Sequence, residues 1–460
     1  MNTKAIFICT ALFALGMHNQ LHAESLADAI VEAYQTNPTI KAQRDQLYVL
    51  QDRYLQAEAG YAPSLSLSAS STTTSTRSGY AGGGFFPGIK TNGASLSFVQ
   101  ALYSGGQIRA AASAAHFEVL AGAEQARSSE MQIIREVIEA YIAVRRDQEI
   151  LEIANSHVQI LQKQVDNTQA RGALREVTIT DMATAQSRLA AAQAQAITAK
   201  GQLDISRNRY LAVVGKTPGT LEPEPELDGI PASYDEALDV LNRSNPDILQ
   251  SRYTERASLV RIAEARAATM PRVDFRVNKS YGPATTLQSN IDQEELSVSI
   301  EVSKSLFSGG LNRANIAEAV DSHTRDRDRM DIADRQASKA LGEAWARMLS
   351  GTSARSAYEQ QVVAAQTAFN GVVEEEKVGL RSPLEVLNLE QELSNAKASA
   401  IMARHDEYSA RAGVLLSMGL LDIYHLTSFR PETDQTQRYR RFYEISPTEL
   451  APRLLERLSV

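Results

Sequence analysis

The feature that most constrains this chain of 460 residues is that it contains one sequence unit twice. The phrase LYSGG at 102–106 returns as LFSGG at 306–310, an offset of 204 residues. Nearer the amino terminus, SLADAIVEAYQTNP (25–38) aligns with SYDEALDVLNRSNP (233–246) at an offset of 208, which also carries Pro63 onto Pro271. A repeat of this length predicts a fold built from two similar halves.

The repeat divides the chain into segments. The first copy spans 24–215 and the second 233–420, and the offset is still 204 where Leu189 aligns with Leu393. Between the copies, 216–232 is predicted to be a linker, because the stretch GKTPGTLEPEPELDGIP (215–231) is rich in Pro and Glu. The last segment, 421–460, fits neither copy and receives no assignment.

An export signal is predicted over residues 1–23, with a buried N-terminal strand as the alternative. Lys4 is its positive start, AIFICTALFALGM its apolar core and Ala23 the small residue before the cleavage point. The single cysteine, Cys9, lies in this core, so the mature chain from Glu24 would depend on packing or assembly rather than on disulfides. Loss of Lys4 takes the formal net charge from −8 to −9, which argues against nucleic acid as a partner.

Each copy changes its hydrophobic period in the same order. Residues 25–60 and 233–268 are predicted to be helical, each with an early Asn-Pro break and each ending just before Pro63 or Pro271. The period then falls to two, which predicts β-hairpins over 64–103 and 272–307, the glycine-rich stretch 79–88 being a hairpin loop rather than a phosphate-binding loop. The alternating apolar residues are Leu65, Leu67, Ala69, Leu96, Phe98, Val273, Phe275, Val277, Leu296, Val298, Ile300 and Val302.

A long helical period follows each SGG phrase. No proline interrupts 107–169, and an Ala-rich segment at 182–200 would let a returning helix approach closely. The SGG phrases therefore predict junctions at which Gly105, Gly106, Gly309 and Gly310 lead the backbone from a sheet into a helix. A coiled-coil-like seam is predicted from apolar residues mostly three or four apart, namely Val137, Tyr141, Val144, Leu151, Ala154, Val158, Leu161 and Val165.

The number of strands predicts an assembly. Alternating strands in an exported chain are typical of an outer-membrane barrel, but such a barrel needs about eight strands or more, and the chain supplies four. Open sheet edges in lipid would leave backbone groups unpaired, so strands of several chains must close one barrel together. The apolar faces would then contact outer-membrane lipid, while the serine faces, with Asp274 and Arg276, would line water. Helical membrane spans are not expected, because no stretch of about 18 apolar residues follows the signal.

These features together resemble the TolC-like outer-membrane channel proteins of type I secretion and multidrug efflux. The resemblance covers nearly all of 24–420 and includes both Asn-Pro positions, both SGG junctions and KVGLRSPLEVLNLEQELSNAK at 377–397. It implies a mixed α and β fold in which four transmembrane β-strands per chain form a twelve-stranded barrel as a homotrimer and continue into a long α-helical coiled-coil periplasmic tunnel. It also implies two partners, a periplasmic adaptor and an inner-membrane transporter that is either ABC or proton-driven.

Residues at the tunnel tip are carried over from the family. Val378, Gly379 and Leu380 resemble its adaptor-docking turn. The expected counterpart in the first copy is Gly172, preceded by Arg171 instead of a valine and followed by three extra residues before Asp181. Gly172 and Gly379 are both expected to turn one helix into the next.

The same resemblance implies a periplasmic gate. Thr180, Asp181 and Arg381 match residues that link helices and hold the tip closed. Glu385 matches the first carboxylate of a constricting ring, whereas Asn388 occupies the position of the second carboxylate. A trimer would then contribute one carboxylate per chain to this ring instead of two.

Enzyme chemistry is not expected. The histidines of the mature chain show no HExxH spacing, and no GxSxG or Walker-type loop is present, so no catalytic, cofactor or metal site is predicted. Each histidine is predicted to lie on a helix surface or in a loop: His116, His157, His323, His405 and His425. Besides a passive export duct, the alternative is a periplasmic coiled-coil adaptor or scaffold, which would have no reason to keep four alternating strands.

Overall fold

The computed structural model describes residues 23–77, 85–174, 177–286 and 289–430. The predicted export signal lies almost wholly outside these residues, as do 78–84 of the first hairpin loop and 431–460 of the unassigned carboxy-terminal segment. The helices and strands occur in the predicted order. In the first copy they are α1 (Leu26–Thr36), α2 (Pro38–Glu58), β1 (Ser64–Arg77), β2 (Phe85–Tyr103), α3 (Gln107–Ala173) and α4 (Ile179–Val214). In the second they are α5 (Tyr234–Ser244), α6 (Pro246–Ala267), β3 (Arg272–Thr286), β4 (Ser289–Ser303), α7 (Leu311–Lys377) and α8 (Pro383–Met418), followed by a short α9 (Ile423–Leu426).

The two copies match each other in helix length. Helices α3 and α7 both have 67 residues, and helices α4 and α8 both have 36. The second hairpin differs from its prediction only at the end, because β4 stops at Ser303, before the predicted limit of residue 307. Helix α7 begins and ends 204 residues after helix α3, and helix α8 begins and ends 204 residues after helix α4.

The Asn-Pro pairs separate two helices in each copy for a local reason. Asn37 and Asn245 are extended N-cap residues, and the following proline occupies the first helical position, where a missing N–H costs no hydrogen bond. The Asn37 side chain accepts from the backbone N–H of Thr39 at 2.9 Å. The Asn245 side chain accepts from the N–H groups of Asp247 and Ile248 at 3.0 and 3.1 Å. Each Asn-Pro pair therefore ends one helix and starts the next.

The four strands form one antiparallel sheet in the order β1-β2-β3-β4. Its register places Leu65, Phe98, Val277 and Val298 directly opposite one another across the sheet. Residues directly opposite in an antiparallel sheet share a face, so the predicted apolar face exists. In the single chain this face is open, with Leu67 76% and Val298 62% exposed.

The other face of the sheet is polar. Ser66, Ser97, Asn278 and Ser297 lie opposite one another along it. Asp274, also on this face, is buried and accepts from the Arg272 Nε at 2.9 Å, and the Arg276 guanidinium is 3.5 Å from it. The Arg276 Nε also pairs with Glu301 at 2.7 Å. The predicted alternation of apolar and polar faces is therefore confirmed.

The SGG phrases are strand-to-helix junctions, as predicted. Strand β2 ends at Tyr103 and helix α3 begins at Gln107. Between them Gly105 and Gly106 have φ of 63° and 89°, and the second-copy glycines, Gly309 and Gly310, have φ of 61° and 92°. Only glycine adopts such left-handed conformations in succession without strain, which explains why the phrase occurs twice.

The chain packs as two compact units, and each combines segments of both sequence copies. Within the described ranges, the first unit consists of 23–36 with 136–226 and 357–405. The second consists of 37–135, 227–356 and 406–430. The sequence copies are thus units of repetition, not of packing. No helix in the described ranges is long and apolar enough to cross a membrane.

The first unit has a core around two buried tyrosines. The Tyr141 hydroxyl of α3 lies 2.9 and 2.7 Å from the main-chain carbonyls of Glu24 and Glu222, and the Tyr210 hydroxyl of α4 donates to the Glu24 carboxylate. Burial raises the pKa of Tyr141 to about 12, so its hydroxyl remains a neutral donor. In the predicted seam of α3, five residues are buried and the other three are partly buried, the buried ones being Val137, Tyr141, Val144, Leu161 and Val165.

Candidate functional site

The candidate site consists of two helix–helix connections in the first unit, 174–178 between α3 and α4 and 378–382 between α7 and α8. Both second helices begin with the same capping arrangement. Asp181 accepts from the backbone N–H of Thr178 at 3.0 Å, and Thr178 accepts from the N–H of Asp181 at 3.1 Å. Glu385 and Ser382 form the corresponding pair at 2.9 and 3.3 Å. Two carboxylates assigned to the gate from sequence are therefore also N-terminal capping residues of their helices.

The structure corrects the prediction for the first connection. Gly172 lies inside α3 and has no positive φ, whereas Gly379 has φ of 80° and turns the chain after α7. Both connections contain five residues, so the first copy has no three-residue insertion relative to the second. The capping pair at Thr178 sets the start of α4, which moves the connection beyond Gly172. The prediction that Gly172 turns one helix into the next is wrong.

Apolar side chains are exposed at both connections. At the second, Val378 and Leu380 are 70% and 75% exposed on either side of Gly379. At the first, Leu174 and Ile179 are 72% and 83% exposed. The two connections therefore share exposed apolar residues, but they do not share a glycine turn.

Arg381 is bound within its own chain. Its Nε donates to Glu375 at 2.8 Å and its Nη1 to Glu385 at 2.9 Å. Hydrogen bonds from the Ser382 backbone and from Arg381 hold the pKa of Glu385 below its ordinary value, and hydrogen bonds to Glu375 and Glu385 raise the pKa of Arg381. Within the described part of the single chain, Arg381 forms no bond with Thr180 or Asp181.

Asp181 and Thr180 are engaged with neighbours on α4. The Thr178 hydroxyl donates to Asp181 at 2.7 Å, and this bond holds the pKa of the Asp181 carboxyl below its ordinary value. The Thr180 carbonyl accepts from the Thr184 hydroxyl at 2.8 Å. Both predicted gate residues thus lie at the start of α4, on a surface that is exposed in the single chain.

Asn388 has a partner that the sequence prediction did not include. Arg188 of α4 donates its Nη2 to the Asn388 Oδ1 at 2.8 Å, joining α4 to α8. A sequence signal for Arg188 existed, because it follows Asp181 by seven residues and so lies on the same helix face two turns later.

His157 is buried, and the prediction that it lies on the surface is wrong. Its side chain on α3 contacts the carboxylate of Glu390 on α8, and both residues are almost fully buried. His157 precedes Leu161 and Val165 by four and eight residues, so helical periodicity already placed it on the buried seam. A buried imidazole beside a buried carboxylate provides the partner that each polar group needs.

The site combines exposed apolar side chains with titratable groups that are bonded within the chain. Its titratable groups form helix caps and ion pairs, and among the described residues no group of three or more His, Cys, Asp or Glu side chains is placed to hold a metal ion. Exposed apolar residues occupy the connections, while charged residues lie on the first turns of α4 and α8.

Comparison with known proteins gives a consistent result. The family model for "Outer membrane efflux protein" matches residues 29–216 and 237–420. The outer membrane efflux protein BepC of Brucella suis is 25% identical over 415 residues, which are 89% of each chain. The outer membrane protein TolC of Escherichia coli is 22% identical over 440 residues, covering 91% of this chain and 87% of TolC. The crystal structure of the outer membrane protein VceC of Vibrio cholerae superposes with a TM-score of 0.72 at 21% identity, covering 86% of this chain and 96% of VceC.

Proposed function

The chain belongs to the outer membrane efflux protein family, and from that membership we propose that it forms a trimeric exit duct for type I protein secretion, multidrug efflux or both. As a member of this family it is located in the outer membrane of a Gram-negative bacterium and functions as a transport channel. A periplasmic adaptor and an inner-membrane transporter, ABC or proton-driven, would open the duct and supply the energy.

The observation that carries the proposal is the open sheet. Strands β1 and β4 are its outer strands, and each has one neighbour within the chain. The apolar face is exposed, with Leu67 and Val302 76% and 67% accessible. A sheet whose apolar face contacts lipid must pair both edges, since an unpaired backbone group costs several kcal/mol in hydrocarbon. Pairing β1 of one chain with β4 of the next would close a barrel, and a periplasmic scaffold would have no use for such a sheet.

This assembly can be tested with introduced cysteines, because the predicted mature chain has none. Ser66→Cys in β1 would be combined with single cysteines at the polar-face residues of β4, Ser297 or Ser299. We expect at least one combination to give disulfide-linked trimers in outer membranes. The matched control is Ser97→Cys in the inner strand β2, whose two neighbours, β1 and β3, belong to its own chain. A protein that is monomeric in detergent and gives no crosslinks would contradict the proposed barrel.

We propose that the adaptor docks on the exposed apolar residues of the two connections. In the second copy these are Val378 and Leu380, held apart by the left-handed turn at Gly379. In the first copy the proposed docking residues are Leu174 and Ile179, since Gly172 lies within a helix. Burial of such residues against a partner would remove their apolar surface from water, which stabilises association.

Replacing Leu380 with Asp should therefore abolish export in cells while leaving the amount of trimer unchanged, because a carboxylate would have to be desolvated in the docked state. Ile179→Asp tests the first connection in the same way. Asn395→Asp is the control, since Asn395 is exposed on α8, three turns beyond the connection. Normal export by the Leu380 and Ile179 variants would argue against docking at these connections.

The periplasmic gate is proposed at Thr180, Asp181, Arg381, Glu385 and Asn388. Support comes from their position beside the two connections and from the capping bonds that fix Asp181 and Glu385 at the first turns of α4 and α8. In a trimer each of these residues would occur three times around one axis. A weak bond that favours the closed state would therefore form three times, and its free energy would count threefold.

A further inference from the structure

Among the described basic residues around the candidate site, Arg188 differs from Arg171, Lys377 and Arg381 because no carboxylate is paired with it. Arg171 pairs with Glu376 at 3.4 Å and Lys377 with Glu374 at 2.6 Å. In the described ranges, Arg188 forms one hydrogen bond, to the amide oxygen of Asn388, and no ion pair. A neutral amide orients the guanidinium without cancelling its charge.

The contact between Arg188 and Asn388 lies beside an apolar cluster that joins three helices. The adjacent residues Leu189 and Leu387 belong to one apolar cluster with Leu161 of α3, so α3, α4 and α8 are in contact there. Asn388 itself is exposed, on a stripe of α8 that also contains Leu384, Glu392 and Asn395 at helical spacing. The Arg188 guanidinium therefore reaches across the packed seam to the open side of α8.

We infer that Arg188 is a specificity-determining residue of the constriction, and that it gives the ring at Asn388 a positive charge. The inference rests on the proposed function, in which Glu385 and Asn388 line the narrow end of the duct. Glu385 shares Arg381 with Glu375, so its carboxylate is partly compensated within the chain. In a trimer, three guanidinium groups would then lie one helical turn from three partly compensated carboxylates. Such a constriction admits anionic solutes more readily than a ring of carboxylates alone.

The charge of Arg188 can be separated from its structural role. Arg188→Gln removes the charge, whereas Arg188→Lys keeps it and loses the planar fork of donors. Asn388→Asp places a carboxylate within 2.8 Å of the guanidinium without removing the link between α4 and α8. If the charge of Arg188 matters, Arg188→Gln and Asn388→Asp both shift the ion selectivity of the channel toward cations, and Arg188→Lys keeps the wild-type selectivity. If only the hydrogen bond between α4 and α8 matters, Arg188→Gln changes the selectivity and Asn388→Asp does not.

The test is the reversal potential of the purified full-length channel in a planar bilayer across a potassium chloride gradient. We expect Arg188→Gln to raise the ratio of potassium to chloride permeability about threefold, a modest change because water screens charges in an aqueous pore. Glu385→Gln should lower the same ratio. Heat-modifiable migration on gels establishes for each variant that the oligomer is intact.

The outcomes separate the inference from the proposed function. Conducting channels in which Glu385→Gln shifts the reversal potential and Arg188→Gln does not would overturn the role of Arg188 and leave the duct in place. Conducting channels in which neither variant shifts it would place the constriction elsewhere and also overturn the inference. A protein that conducts in no variant, although inserted and oligomeric, would refute the exit duct itself.

Discussion

Replacement of Glu130 by Gln should stabilise the protein at neutral pH. Glu130 lies on α3 in the second unit, and burial raises the pKa of its carboxyl from the ordinary value of 4.5 to about 7, with the charges of Arg44 and Arg127 lowering it and that of Asp422 raising it. The native state therefore keeps a proton that the unfolded state loses as the pH rises from 4.5 to 7. Because the unfolded state binds fewer protons in this window, stability falls as the pH increases.

The size of this effect follows from the shift. Each unit of pKa difference corresponds to about 1.4 kcal/mol, so a shift from 4.5 to about 7 removes at most about 3 kcal/mol of stability above pH 7. Glutamine has nearly the same shape and cannot ionise. The Glu130→Gln variant should match the wild type near pH 4.5 and exceed it at pH 8, by several degrees in unfolding temperature.

The assay is unfolding in detergent, followed by circular dichroism from pH 4.5 to pH 8, with variant and wild type compared at each pH. Glu407→Gln in the same unit is the control with the opposite sign. Burial would raise the pKa of Glu407, but hydrogen bonds from Arg355 and Thr352, both at 3.0 Å, outweigh it and lower the pKa. Glu407→Gln should therefore destabilise at neutral pH, with the loss shrinking as the pH falls through the depressed pKa. A difference between Glu130→Gln and wild type that is independent of pH would refute the reasoning.

Three further predictions address other parts of the molecule. Gly105→Ala should lower the free energy of unfolding by about 2–4 kcal/mol, because the added Cβ would lie 2.5 Å from the Cβ of Met270. Gly309→Ala should lower it by only about 1–2 kcal/mol, because the added Cβ meets open space. Equal losses for the two variants in detergent unfolding would contradict this. Tyr141→Phe should cost about 1 kcal/mol, measured in the same way, because the part-buried carbonyl of Glu222 loses a hydrogen-bond donor. Arg381→Ser should raise single-channel conductance and sensitise cells to large antibiotics at unchanged trimer abundance, and wild-type conductance would show that closure depends on other residues.

The repeat, the order of helices and strands, and the two faces of the sheet were all predictable from the amino-acid sequence. These features follow from local rules. A proline after asparagine starts a helix wherever it occurs, successive glycines permit left-handed turns, and a period of two assigns side chains to opposite faces of a strand. Two further local signals were present, the capping pair at Thr178 and the spacing of four that joins His157 to Leu161. The turn was instead predicted at Gly172, because glycine often ends a helix. His157 was predicted to lie on the surface, because histidine often does.

The side-chain contacts between helices were not predictable from the sequence. Arg188 and Asn388 are 200 residues apart, and their contact depends on how α3, α4 and α8 pack around the cluster that contains Leu161. The unequal surroundings of Gly105 and Gly309 have the same origin, because the two glycines share a sequence phrase and a backbone conformation but not a neighbour. A repeat fixes the conformation of each segment, whereas the contacts of a side chain depend on the element that packs against it, and no local pattern specifies that element.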